Sequence, residues 1–135
     1  MAQQRTALTV GDALPALSKR ITQEQLHRYA DASGDHNPLH LDSEFAAKTQ
    51  FGGTIAHGML MLAFASEMLT AAFGLAWLES GRMKIRFRAP SRPGETATAT
   101  GIVTRVNGSQ IVCEIECRND AGEVLVSGEA EVIVE

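Results

Sequence analysis

The residues best equipped for chemistry fall in one short stretch, Ser33-Gly34-Asp35-His36-Asn37-Pro38-Leu39-His40-Leu41-Asp42. The carboxylate of Asp35 and the imidazole of His40 stand on either side of a turn that Pro38 stiffens, so both can face one point. Unperturbed pKa values of about 3.9 and about 6.5 let one group accept a proton near neutrality while the other relays or returns one. A turn rich in Ser, Gly, Asp, Asn and Pro also has a purely structural reading, in which Asp and Asn bond the local backbone. On this stretch alone both readings stay open.

A second cluster, Ile55-Ala56-His57-Gly58-Met59-Leu60, heads the longest apolar run of the chain. N–H groups in the first turn of a helix lack intrahelical partners and sit at the positive end of its dipole, where they can stabilise a developing oxyanion. Gly58 would let a ligand come close, although tight packing explains a glycine there equally well. His57 reads as a structural histidine beside a helix start, and Ser66, two turns on, as a serine bonded back to a carbonyl. Three of the 4 histidines, His36, His40 and His57, invite a metal reading. Pro38 separates His36 from His40, and no Glu stands where a zinc HExxH motif needs one. A calcium loop opening at Asp35 would need glycine where His40 stands and glutamate where Ala46 stands. No metal is expected. Nucleophile elbow, dinucleotide loop and P-loop motifs are also absent from the sequence.

Helices must carry these groups. Thr22-Gln23-Glu24-Gln25 has the pattern of a capping box and predicts a helix to about Ala32, which Ser33 to Pro38 breaks. Asp42 can cap a second short helix through Phe45, Ala46 and Ala47, ended by Phe51-Gly52-Gly53. The apolar run from about Ala56 to Phe73, closed by Gly74, predicts a long and nearly buried helix. From Arg82 the period becomes two: Met83, Ile85, Phe87 and Ala89 alternate with Arg82, Lys84, Arg86 and Arg88. Strands over 95–106, 110–118 and 124–134 follow, with turns at Asn107-Gly108 and Asn119-Asp120-Ala121-Gly122, which reads as an antiparallel meander with one apolar face. A long helix lying in the concave side of that sheet makes the class α+β.

At 135 residues and net charge −4 the chain reads as one domain over 1–135, too short for a dinucleotide-binding half plus a substrate half. Its acidic balance offers no footprint for nucleic acid. Its 44% hydrophobic content speaks against whole-chain disorder. Cys113 and Cys117 read as buried small hydrophobes, too far apart along one strand to bridge. Met1 to Val10 lacks the pattern of a secretory signal, so the expected setting is cytoplasmic. His57 and Glu67 interrupt the apolar run, so no membrane span is expected.

Tyr29 to His40, with its Asp35-His36-Asn37-Pro38-Leu39-His40 core, followed by Phe51-Gly52-Gly53-Thr54-Ile55-Ala56-His57-Gly58-Met59-Leu60, resembles the MaoC-type (R)-specific enoyl-CoA hydratases. The resemblance runs from about Ile21 to the C-terminus and includes Arg86-Phe87-Arg88-Ala89-Pro90 and Pro93-Gly94-Glu95. It implies a hot-dog fold, in which an antiparallel sheet wraps a long helix, and a homodimer whose two sheets run on into each other. It further implies reversible addition of water to a trans-2-enoyl-CoA, giving the (R)-3-hydroxyacyl-CoA, with an acyl-CoA as partner and no metal or organic cofactor. By the same resemblance Asp35 and His40 are the catalytic pair and the Gly58 N–H receives the thioester oxygen. The resemblance also implies that Asn37 orients this pair, that Ser66 lies near the site, and that Asn37, His57, Met59 and Ser66 form its substrate-binding side.

The chemistry of these groups agrees. Water adds at C3 only if the thioester carbonyl is polarised, since the displaced electrons collect on its oxygen, and a helix-start N–H supplies that polarisation. Two other readings remain: a hot-dog thioesterase, which attacks C1 instead, and a non-catalytic acyl-CoA-binding subunit. The basic strand, Arg82, Lys84, Arg86 and Arg88, with Arg92 beyond it, is either a solvated face or a receiver of CoA phosphates.

Overall fold

The structure, a computed structural model, describes residues 8–135. Most of the leading segment read as signal-free lies outside them. Thr22 opens the first long helix, α1 (Gln23–Ser33), its hydroxyl accepting the Gln25 N–H at 3.1 Å. The expected capping box is only half made. The Gln25 side-chain oxygen is buried without a partner, while Gln23 reaches away from the cap to donate to the His40 carbonyl at 2.8 Å. Gly34, at φ 82°, ends α1 in the left-handed region that an L side chain resists.

Two short helices follow where one was expected. Besides α3 (Ser43–Ala47), capped by Asp42, a single turn forms at α2 (Pro38–Leu41). Pro38 fits its first position because that N–H has no helical partner to lose. The long helix α4 (Gly58–Phe73) begins two residues later than the apolar run and ends at Gly74. It is buried on one side rather than all round: Leu60, Met61, Phe64, Ala65, Met68, Leu69 and Phe73 face inward, whereas Ala63, Glu67 and Ala71 are exposed. Gly74 stops α4 without stopping helix formation, since α5 (Leu75–Ser80) restarts directly beyond it.

The sheet has five strands, β1 (Leu17–Arg20), β2 (Arg82–Phe87), β3 (Thr96–Asn107), β4 (Gln110–Arg118) and β5 (Val124–Ile133), in the spatial order β1-β3-β4-β5-β2. Every pairing is antiparallel. Three strands form the meander that was expected, but β2 is not its first member. It crosses to the far side and pairs with β5, Arg82 opposite Glu131 through Phe87 opposite Val126. The unexpected β1 closes the other edge; four residues, half of them charged, are too few to announce a strand.

The first hairpin turns one residue later than read, on Gly108 and Ser109, because Asn107 still pairs with Gln110. At the other end a bulge sets the phase. Cys117 pairs with Val126 and Arg118 with Val124, which leaves Leu125 over, so Leu125 and Val126 are both buried where strict alternation would expose one.

The sheet curls around α4, giving the hot-dog arrangement of an α+β fold. Toward the C-terminal half of α4, Met68, Leu69, Phe73 and Trp77 pack on Ala99, Val103, Cys113, Ile115 and Ala130. Toward its N-terminal half, Leu60, Met61 and Phe64 pack on Ile21 and Leu26 from the α1 side and on Cys117, Leu125 and Val126 from the sheet. That second cluster fixes where the head of α4 stands relative to α1, and the polar residues lie across this junction. Both cysteines are free and buried, and burial pushes their thiols up to about 11. Among the described residues no helix is long and apolar enough to cross a membrane.

Candidate active site

A relay of side-chain to backbone hydrogen bonds builds the turn after α1. Ser33 Oγ accepts the Asp35 N–H at 3.2 Å, Asp35 Oδ1 accepts the Asn37 N–H at 3.3 Å, and Asn37 Oδ1 accepts the Leu39 N–H at 3.0 Å. The structural reading of this segment therefore holds for Ser33, Asp35 and Asn37. It does not compete with a chemical one, because the product of these bonds is the turn of helix that carries His40. Asn37 acts there as the N-cap of α2, so it orients the imidazole through the backbone and not through its own side chain.

His40 is 9% exposed, and its Nδ1 lies 2.8 Å from the Ile55 carbonyl oxygen. A carbonyl only accepts, so Nδ1 carries the hydrogen and Nε2 of the neutral ring keeps a free lone pair. The backbone around it is tied on both sides: Gln23 donates to the His40 carbonyl, and the Thr54 hydroxyl donates to Gln23 Oε1 at 2.7 Å. The sequence does not mark Ile55 and Gln23 as supports of His40. A main-chain carbonyl leaves no signature in residue types, and Gln23 was absorbed into the capping pattern.

His57 occupies the N-cap position of α4 without capping it. It is 1% exposed, stacks on His40 with ring centroids 3.9 Å apart, and lies 4.7 Å from the Tyr29 ring. Its Nε2–H donates to the Asp35 main-chain carbonyl at 3.1 Å, which leaves Nδ1 buried with no partner. Burial is the main force holding its pKa below the ordinary 6.5, outweighing the hydrogen bond to the Asp35 backbone.

One side-chain oxygen of Asp35 and one ring nitrogen each of His40 and His57 fall within 4.8 Å of one another. A carboxylate and an unprotonated imidazole nitrogen are both acceptors, and a single water with hydrogen bonds of about 2.8 Å can donate to two acceptors at such a spacing. A metal fits less well. The two imidazole planes are 27° apart and stacked, so one ion about 2.1 Å from each nitrogen cannot lie in both ring planes.

Gly58 is the first residue of α4, and its exposed backbone shares a cleft of about 290 Å³ with His40, Phe51, Ile55, Met61 and Phe87. A Cβ on Gly58 would come within 2.8 Å of the Phe87 ring, so glycine here answers a close approach and not a backbone angle. Arg88 also lines this cleft, its Nε donating to Ser127 Oγ at 2.9 Å. Of the basic strand it alone does so; Arg82 faces Glu131 at 3.6 Å, and Lys84 and Arg86 line a second surface hollow with Glu114 and Glu129, which Arg88 and Ser127 also border.

Other expected site residues stand elsewhere. Asp35, Asn37 and His57 do not themselves line the cleft; Asp35 and Asn37 stand in the exposed turn beside it, and His57 is buried against the His40 ring that does. Met59 is 56% exposed and also off the cleft, where Met61 takes the place expected of it. Ser66 is not bonded back to a carbonyl through its hydroxyl; its Oγ accepts the Trp77 indole N–H at 3.0 Å and ties α5 to α4. His36 turns outward to Asp31 at 3.1 Å.

Comparison with known proteins adds an independent line. The sequence pattern of the MaoC like domain family matches residues 6–124. An (R)-specific enoyl-CoA hydratase of Rhodospirillum rubrum is 35% identical over 120 residues, covering 88% of this chain and 83% of that protein. A 3-hydroxybutyryl-CoA dehydratase of Methylorubrum extorquens is 32% identical over 123 residues, covering 87% and 76%. The solved structure of an (R)-hydratase from A. caviae involved in PHA biosynthesis superimposes with a TM-score of 0.85 at 30% identity, over 97% of this chain and 100% of that one.

Proposed function

The chain belongs to the MaoC-like domain family, and from that premise we propose how its own residues carry out the reaction. It is a hydro-lyase, an (R)-specific enoyl-CoA hydratase that in reverse dehydrates a 3-hydroxyacyl thioester. Asp35 and His40 hold one water between the carboxylate and Nε2. The Gly58 N–H, at the positive end of α4, receives the thioester oxygen. The water oxygen bonds to C3, and the electrons of the C2–C3 double bond move through C2 and C1 onto the thioester oxygen. The proton the water gives up passes to the waiting acceptor and is delivered to C2 as the carbonyl re-forms. One water is consumed, nothing is oxidised or reduced, and no metal or organic cofactor is needed.

The single observation that carries this reading is the 2.8 Å bond from His40 Nδ1 to the Ile55 carbonyl. It leaves Nε2 as an acceptor on a ring that lines the cleft with the head of α4, and a carboxylate oxygen of Asp35 lies within 4.8 Å of a nitrogen of that ring. Arg88, the basic residue of that cleft, is the proposed contact for the CoA end of the substrate. The proposed assembly is a homodimer joined along β2, supported by the place of β2 at the edge of the sheet and by the exposure of Phe87, Leu75 and Leu78. A cytoplasmic setting agrees with the two unpaired cysteines.

The test is turnover of crotonyl-CoA followed by loss of enoyl-thioester absorbance, with the product's C3 configuration assigned. Hydration to the (R)-3-hydroxy ester that disappears in Asp35→Asn, with an unchanged circular dichroism spectrum, is the expected result. Release of free thiol instead would make the protein a thioesterase, and unchanged turnover in Asp35→Asn would remove that carboxylate from the mechanism.

A further inference from the structure

We infer that His57 is a positioning residue that holds Asp35 and His40 as one unit, through its Nε2–H bond to the Asp35 carbonyl and its ring stacked on His40. The inference rests on the hydratase reading above, since it concerns how the two proposed catalytic groups stay in register. Asp35 lies in an exposed turn and His40 on a single turn of helix, so neither is held rigidly by its own element. His57 touches both from a fixed place at the head of α4. The 3.1 Å bond restrains the backbone that carries the carboxylate, and the 3.9 Å stack restrains the plane of the imidazole.

Packing alone does not account for this residue. His57 is 1% exposed and its Nδ1 has no hydrogen-bond partner, which is unfavourable for a buried acceptor. A phenyl ring would fill the same space and stack as flatly with no polar atom unpaired. What phenyl lacks is the N–H directed at the Asp35 carbonyl. The titratable groups facing His57 are Tyr29 from α1, Asp35 and His36 from the turn, and His40 from α2. Burial, with both neighbouring histidines acting in the same direction, keeps His57 neutral, so no second positive charge opposes protonation of His40 during turnover.

Two substitutions separate the contacts. His57→Phe keeps a flat ring and loses the donor; His57→Gln keeps a donor near the position of Nε2 and loses the ring. Displacement of reacting groups by about 1 Å costs on the order of a hundredfold in rate. His57→Phe is therefore expected to lower kcat on crotonyl-CoA by about a hundredfold while KM stays within about threefold, and His57→Gln to recover about tenfold of that loss. A role in packing alone would leave kcat of His57→Phe at the wild-type value, and that result would overturn the inference. Nitrogen-15 spectra of histidine-labelled wild-type protein provide a reading that no variant's folding can obscure. A neutral His57 with its proton on Nε2 at pH 7 is expected, and an imidazolium or an Nδ1–H tautomer there would equally overturn it. Wild-type protein that hydrates no enoyl-CoA would defeat the hydratase reading and with it the catalytic role given to His57, whereas active wild-type protein with an unimpaired His57→Phe would overturn this inference alone.

Discussion

Two imidazoles lie in contact at this site, and their surroundings give them opposite tasks. His40 has one nitrogen spent on the Ile55 carbonyl and the other open toward the cleft; His57 has one nitrogen spent on the Asp35 carbonyl and the other shut in the interior. The lowered pKa of His57 has a consequence for stability. In the unfolded chain this histidine takes a proton near its ordinary 6.5, while in the fold it resists until lower pH. Below about 6.5 the unfolded state therefore binds more protons, so stability falls as pH drops through that value toward the lowered folded pKa. Above it the residue adds no pH dependence. Wild-type Tm is expected to fall between about pH 7.5 and about pH 5.5 more steeply than that of His57→Gln, and parallel slopes would show that His57 is not the group titrating. At this scale Asp35, His40 and Gly58 stand out in the sequence because their types and order resemble a known motif. The tautomer of His40 does not, since it depends on a carbonyl 15 residues away.

Among the elements, the caps and ties around α4 are the testable parts. Thr22 accepts only the Gln25 N–H, since the return bond of the capping box is absent, so Thr22→Ala should cost about 1 kcal/mol, read as a shift in denaturant midpoint without a change in slope. Ser66→Ala leaves the part-buried Trp77 indole N–H without its acceptor and is expected to cost about 1–3 kcal/mol, with a shift in tryptophan emission and kcat within about threefold. A large loss of kcat with unchanged stability would return Ser66 to the substrate. Gly58→Ala pushes a methyl to within 2.8 Å of the Phe87 ring, so the ring or the head of α4 must shift. The fold should survive while kcat/KM falls about tenfold through displacement of the helix head, and Phe87→Leu in the same chain should restore part of the loss. The elements that escaped the sequence reading are short: α5 has six residues and restarts where Gly74 was expected to end the helical region, and two others are shorter still. β1 has four residues and α2 has four, and each exists because a neighbour supplies its hydrogen bonds: β3 for the one, Asn37 for the other.

For the whole molecule, the edge strand makes a mass measurement decisive. A homodimer through β2 predicts a solution mass twice 14.5 kDa by light scattering, and a monomer at all accessible concentrations would remove the proposed continuous sheet. Arg88 reports on substrate binding in the same preparation: Arg88→Gln should raise KM for a CoA ester several-fold more than for the matching pantetheine ester, and added salt should narrow the gap. The sequence by itself determined the α+β class, the long helix from its apolar run, and four of the five strands with their turns to within a residue, because periodicity and turn chemistry are local properties. It also determined which residue types could handle a proton and an oxyanion. Tertiary structure alone decided that β2 pairs with β5, that a bulge buries Leu125 and Val126 together, and that Arg88 and not Arg82 reaches the cleft. It also decided that His57 stands behind the site, Met59 outside it and Ser66 beneath Trp77. Each of these depends on which distant segment comes to lie beside a residue, and that is set by how the sheet closes around α4, which no window of neighbouring residues encodes.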